Sequence, residues 1–99
     1  MALGSRIREL RKKKGISIKE VASQVYVDHT YLSKIENERV IPSEEVLHRL
    51  ADYFNYDKDE LMLLANRIPD DILEILQTSP KEAIDFLREH FGQKNHESG

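Results

Sequence analysis

Thr30, Lys34 and Asn37 carry the side chains best able to do chemistry in this chain, and their spacing brings them together. On a helix advancing about 100° per residue, with Leu32 pointing inward, Ile35 lies about 60° to one side and Glu36 about 40° to the other. Thr30, Lys34 and Asn37 then fall within about 40° of directly outward. Short hydrogen-bonding groups beside a cation suit base edges and the phosphates that flank them. An ordinary solvated helix face has the same make-up, so the face alone leaves both readings open.

Glu36 is out of place, because the same geometry puts its carboxylate on the inward side. A buried charge needs a partner. In the first helical segment Arg11 sits one turn beyond Ile7 and next to Leu10, also on the apolar side. An Arg11–Glu36 pair tying the two segments together is the expectation, with a structural and not a catalytic role.

The elements that would position these residues can be read from periodicity and caps. Strand signals are absent and helix starts are frequent. Leu3, Ile7, Leu10 and Lys14 form one stripe of a first helix that Gly15 stops. Ser17 with Glu20 reads as a capping box before Val21, Ala22 and Val25. Asp28 is the expected N-cap of the helix that buries Leu32 and Ile35. Ser17 to Asn37 is therefore two short helices joined by a tight turn, the second with its polar face free. That layout is a helix-turn-helix, whose second helix enters the DNA major groove.

Pro42 breaks the chain, and Ser43 opens a fourth helix with Val46, Leu47, Leu50, Ala51 and Phe54 on a wide apolar face. Asp57 with Glu60 opens a fifth. Its run Leu61-Met62-Leu63-Leu64 points all round, which predicts cover on more than one side. A boundary falls at Asn66-Arg67. Beyond it Pro69 and Pro80 each occupy a first helical position, opening two further helices. Ile68, Ile72 and Leu76 form one stripe and Ile84, Leu87 and Phe91 another, with Leu73 and Phe86 off them. Helices apolar on two faces can close a larger core or meet a partner. The expected plan is all-α: residues 1–66 a five-helix domain, 67–91 a two-helix extension packed on it or forming a dimer or partner surface, and 92–99 a disordered tail.

Composition narrows the function classes. The 99 residues have no cysteine, which excludes disulfides, iron–sulfur clusters and a thiol nucleophile. No membrane span or signal peptide is evident, so a cytoplasmic location is expected. The formal charge is −3, but residues 1–39 carry nine Lys or Arg against five Asp or Glu, and residues 40–99 six against thirteen. A basic front on an acidic back suits DNA, because phosphate attraction acts over about 8 Å at physiological salt. His29, His48, His90 and His96 lack metal-ligand spacing. The acidic pairs Glu44-Glu45 and Asp70-Asp71 sit in first turns, where they stabilise the helix dipole. No phosphate loop or nucleophile elbow is present. No cofactor is expected, and an enzyme is not.

The segments RIRELRKKKGIS, EVA, YLSKIEN and PSEEVLHRLADYF, with the spacing from Arg6 to Asn66, resemble the Xre-like regulators of phage-repressor and Cro type. The resemblance covers about two thirds of the chain. It implies a five-helix domain with the buried Arg11–Glu36 pair, bound as a homodimer to a palindromic operator on double-stranded DNA. By position it implies base reading by His29, Thr30, Ser33 and Lys34, and phosphate contacts from Asn37. Tyr31 at the edge of the face, and Lys13 or Lys14 at the end of the first helix, are further phosphate candidates. Three residues depart from the family pattern: Tyr26 replaces a turn glycine, Glu38 replaces the glycine that often ends the reading helix, and Ile18 replaces a backbone-clamping glutamine. Two functions follow from these features. One is a repressor. The other is an interaction module, an antitoxin or bridging factor, that meets its partner through Leu73 and Phe86. The chain can also be the DNA-binding part of a longer protein with an effector domain after Gly99.

Overall fold

Helix-start chemistry sets the order of elements. In the computed structural model, which describes residues 2–92, Ser17 Oγ accepts the Glu20 N–H at 3.1 Å and opens α2 (Ile18–Gln24). Ser43 Oγ accepts from Val46 at 3.3 Å and opens α4 (Glu44–Phe54). Asp57 Oδ1 accepts from Glu60 at 2.8 Å and opens α5 (Lys58–Leu64). α1 (Leu3–Lys14) and α3 (His29–Glu36) start without a side-chain cap. Asp28 is the N-cap of α3, as expected, and holds that position through an extended backbone with no hydrogen bond from its carboxylate. The Ser17–Glu20 box is likewise formed only in its serine half among the described residues.

The helix ends share one device. Each of α1 to α5 is closed by a residue at positive φ: Gly15 at 70°, Tyr26 at 60°, Glu38 at 61°, Asn55 at 52° and Asn66 at 60°. Glycine and asparagine adopt this conformation readily, whereas for tyrosine and glutamate it costs about 1–2 kcal/mol. The two strained residues stand on either side of α3.

These five helices form one compact unit that runs to Arg67. Its core is apolar and continuous, with Ile7 of α1, Val21 of α2, Leu32 and Ile35 of α3, Leu47 and Leu50 of α4 and Leu61 of α5 all excluded from solvent. α3 packs on both α1 and α2, and α4 packs on α5. Gly4 allows the first of these contacts. A Cβ there would stand 2.5 Å from the carbonyl oxygens of Ile35 and Glu36, so only glycine lets the start of α1 press against the end of α3. Arg67 closes the unit, donating from Nε and Nη2 to the Pro42 carbonyl at 3.2 and 3.0 Å.

One expectation is corrected here. The stripe of α1 stops short of Lys14, which is exposed with its ammonium 5.2 Å from the Tyr53 ring centre. α5 is covered on more than one side but not all round: Leu61 and Met62 are buried and Leu64 half-buried, while Leu63 is 56% exposed. A seven-residue helix on the rim of a five-helix core has too few neighbours to enclose a whole turn.

The second unit begins at Ile68 and comprises α6 (Asp70–Thr78) and α7 (Pro80–Phe91). Pro80 takes the first helical position of α7, while Pro69 is the N-cap of α6 and not its first residue. An apolar groove runs between the two helices, lined by Ile72, Ile75, Leu76, Ala83, Phe86 and Leu87. Phe86 thus shares the groove with Leu76 and Leu87 and does not lie apart from their stripes. His90 stacks on Phe86, ring centres 3.9 Å apart. No residue of α6 or α7 is buried. The tail expected over 92–99 lies, from residue 93 on, outside the described residues. Among the described residues there is no strand, and no helix is long and apolar enough to cross a membrane.

Candidate nucleic-acid interface

α3 is held from behind and open in front. Leu32 and Ile35 are fully buried and Glu36 is 3% exposed, whereas His29, Thr30 and Lys34 are exposed and Ser33 is half-buried. The outward face has no acceptor or donor of the protein competing for Thr30 or Lys34 among the described hydrogen bonds. His29 Nδ1 lies 3.8 Å from Asp28 Oδ1 at the start of the helix. Tyr31 is half-buried, its ring packed against the core beneath the face.

The buried side explains how that face is aimed. Arg11 donates to Glu36 in a fork, from Nε to Oε2 at 2.7 Å and from Nη2 to Oε1 at 3.1 Å. Its Nη1 reaches the Ile16 carbonyl at 3.2 Å, so one guanidinium joins α1, the loop after it and α3. The hydrogen bond to Glu36 raises the Arg11 pKa, opposed by burial and assisted by the carboxylate charge, so the guanidinium stays charged. Arg8 adds a second cation, with Nε 3.3 Å from Glu36 Oε1 and Nη2 2.9 Å from Asn37 Oδ1. Asn37 in turn donates from Nδ2 to the Ser33 carbonyl at 2.9 Å. Arg11, Glu36, Arg8 and Asn37 are therefore one connected network.

Both departures from glycine are compensated locally. Glu38 sends Oε2 back to accept the Ser5 N–H at 3.3 Å, which puts its charge at the start of α1 where the helix dipole favours it. Tyr26 leans on Arg49, whose guanidinium is 5.9 Å from the ring centre. Arg49 also donates to the Val25 carbonyl at 3.1 Å and to Glu45 Oε2 at 2.6 Å, bracing the turn between α2 and α3 from α4. Lys13 is exposed at the end of α1, and Lys14 is drawn to Tyr53.

Sequence reasoning missed Gly4, Arg8 and Arg49. Only Arg8 left a local signal, since it lies one turn from both Gly4 and Arg11 on the α1 face that meets α3. Among the described residues no group of three or more His, Asp or Glu converges on a metal site.

A helix presented by a braced turn, with a polar face free and a charged network behind it, defines a helix-turn-helix domain. Comparison with known proteins agrees: the helix-turn-helix domain family matches residues 4–67. The ImmF control region 10 kDa protein of Bacillus phage phi105 is 39% identical over 61 residues, 62% of this chain and 68% of that protein. The HTH-type transcriptional regulator ImmR of Bacillus subtilis is 28% identical over 89 residues, 90% of this chain and 70% of its own. The regulator DdrOP3 of Deinococcus deserti is 36% identical over 62 residues, 63% of this chain, which spans only 48% of that protein. Among solved structures, the clp gene regulator ClgR of Corynebacterium glutamicum superposes with a TM-score of 0.57 at 24% identity, covering 92% of each chain. A chain of the SinR–SinI complex does so with a TM-score of 0.58 at 22% identity, covering 92% of this chain and 99% of that one. The protein belongs to the Xre-like helix-turn-helix family of transcriptional regulators.

Proposed function

We propose that this protein is a sequence-specific repressor that binds a palindromic operator as a homodimer. The observation that carries the reading is α3 itself, with a free face of Thr30 and Lys34 opposite the locked Glu36. His29, Thr30, Ser33 and Lys34 read base edges, and Asn37, Tyr31, Lys13 and Lys14 hold phosphates. The dimer would occlude a promoter, its basic front steered onto DNA by the contrast with the acidic remainder. The names of the phage control-region protein and the two HTH-type regulators support a regulatory role. A repressor acts where the DNA is, so a cytoplasmic location goes with this reading.

The chain divides by function as well. Residues 1–66 bind DNA, and residues 67–91 provide the dimer surface. Leu73 and Phe86, 37% and 53% exposed on helices with no buried residue, are the side chains a second copy would cover.

Selection of bound sequences from a random duplex library at about 150 mM salt tests the proposal. The expected result is an enriched palindrome with half-site centres roughly 10 base pairs apart. Lys34→Ala should then lose about 1–3 kcal/mol at particular base pairs. No enrichment would remove the operator reading.

The exposed apolar surface of α6 and α7 favours a second reading, an interaction module of antitoxin or bridging type. SinR, a fold neighbour, is seen in complex with SinI. That reading expects Leu73→Asp and Phe86→Asp to abolish partner capture while Lys34→Ala leaves it intact. An effector domain after Gly99 would make this chain the DNA-binding part of a longer protein, and the two readings apply to it unchanged.

A further inference from the structure

Arg8 stands between the buried ion pair and the exposed end of α3, and its contacts decide which way an amide faces. Its Nε donates to Glu36 Oε1 at 3.3 Å, and its Nη2 reaches the Glu36 carbonyl at 3.4 Å and Asn37 Oδ1 at 2.9 Å. A guanidinium has donors only, so the oxygen of the Asn37 amide must face it. On the other side Asn37 Nδ2 donates at 2.9 Å to the Ser33 carbonyl, a group that only accepts. Both neighbours demand the same orientation of a side chain that, on an exposed helix end, would otherwise turn freely. The second hydrogen on Nδ2 has Ser33 Oγ as its only described neighbour, at 3.4 Å, and Asn37 is open to solvent. A phosphate oxygen needs that N–H. A flipped amide would present its own oxygen and repel it.

We infer that Arg8 is a positioning residue for DNA binding, anchored on Glu36 and holding the Asn37 amide with its N–H outward for a backbone phosphate. The inference rests on the DNA reading of α3. Arg8 acts through Asn37 and does not itself touch the nucleic acid. Its charge is turned toward the Glu36 carboxylate, and one planar fork spans both partners. Lysine cannot reproduce this, because a single ammonium lacks the fixed pair of donors. Lysine would, however, preserve a direct charge contact with phosphate, and that difference separates the two roles.

The test is fluorescence anisotropy with a labelled random-sequence duplex of about 30 base pairs, since phosphate contacts carry no sequence information. Arg8→Lys and Asn37→Ala should each weaken binding by about thirtyfold, the scale of one lost hydrogen bond in each protomer of a dimer. The double variant should bind no more weakly than Asn37→Ala alone. Losses that multiply, or Arg8→Lys binding like the wild type, would overturn the inference while leaving the DNA reading in place. A wild-type protein that fails to bind the duplex at low salt would remove both. Loss of stability alone lowers the melting temperature but creates no coupling between the two positions in affinity. Should Arg8→Lys fail to fold, the side-chain amide signals of Asn37 in the 15N spectrum of the wild type provide the test. They should shift as the duplex is added, and unmoved signals would refute the inference.

Discussion

Replacing Glu36 by alanine removes the shared acceptor of two arginines at once. Its side chain is 1% exposed, and Arg11, whose side chain is 14% exposed, would keep only the Ile16 carbonyl. Breaking a buried pair by deleting one partner costs about 3–5 kcal/mol, because the remaining charge stays buried without compensation. Arg8 raises the cost little, since its side chain is 41% exposed and water can replace the lost contact. In a domain of this size each kcal/mol shifts the melting temperature by about 4–8 °C, so Glu36→Ala should melt at least ~12 °C below the wild type. Thermal unfolding followed by far-ultraviolet circular dichroism measures it directly. Arg11→Met paired with Glu36→Leu should recover most of the loss, because two apolar groups leave no orphaned charge. A melting temperature unchanged by Glu36→Ala would refute the claim that this network fastens α3 to α1.

Further outcomes follow from the backbone and from one phenol. Tyr26→Gly should stabilise the protein by at most about 1 kcal/mol, the relief of positive φ exceeding the lost contact with Arg49 and the added freedom of the unfolded chain; urea unfolding would show it, and a loss of stability would mean the ring matters more than the strain. Gly4→Ala should destabilise by about 1–3 kcal/mol or more in the same assay, since its methyl group meets two backbone carbonyl oxygens that cannot yield, besides the Glu38 carboxylate that can. The Tyr56 pKa is raised by its hydrogen bond to Glu60 and by burial, against the pull of the Arg6 charge. The folded state therefore favours the protonated phenol, and this stability is complete below about pH 10 and lost as pH rises through the folded value. The melting-temperature gap between wild type and Tyr56→Phe should hold through neutral pH and narrow above about pH 10; a gap that widens there would contradict the assigned direction.

The helices were legible because their starts are written in single residues. Ser17, Ser43 and Asp57 each accept the N–H three residues on, and Gly15 closes α1 at positive φ. The inward lean of Glu36 was legible too, since helical periodicity alone puts it beside Leu32. Gly4, Arg8 and Arg49 were not. Gly4 and Arg49 meet backbone carbonyls far along the chain, which no local period records, and the period of α1 shows only that Arg8 shares the face of Gly4 and Arg11. Long arginine stems also hide their partners, for a side chain spanning three elements looks in sequence like any surface cation. Tyr26 and Glu38 stand where the family pattern has glycine, and both take positive φ. The structure adds the local compensation, a stacked guanidinium in one case and a helix-start carboxylate in the other.

The fastening of α3 lies entirely on its back. Leu32, Ile35 and Glu36 are committed to the core and to α1, the close approach at Gly4 fixes the end of the helix, and none of these contacts uses Thr30 or Lys34. Substitutions on the front should therefore change what is read without changing whether the protein folds. On the proposed DNA reading, a lineage built on this scaffold can drift from one target sequence to another through folded intermediates, while the same changes at Leu32, Ile35 or Glu36 would be eliminated by misfolding. On that reading, separating the two faces makes the domain a reusable reader whose specificity is free to evolve.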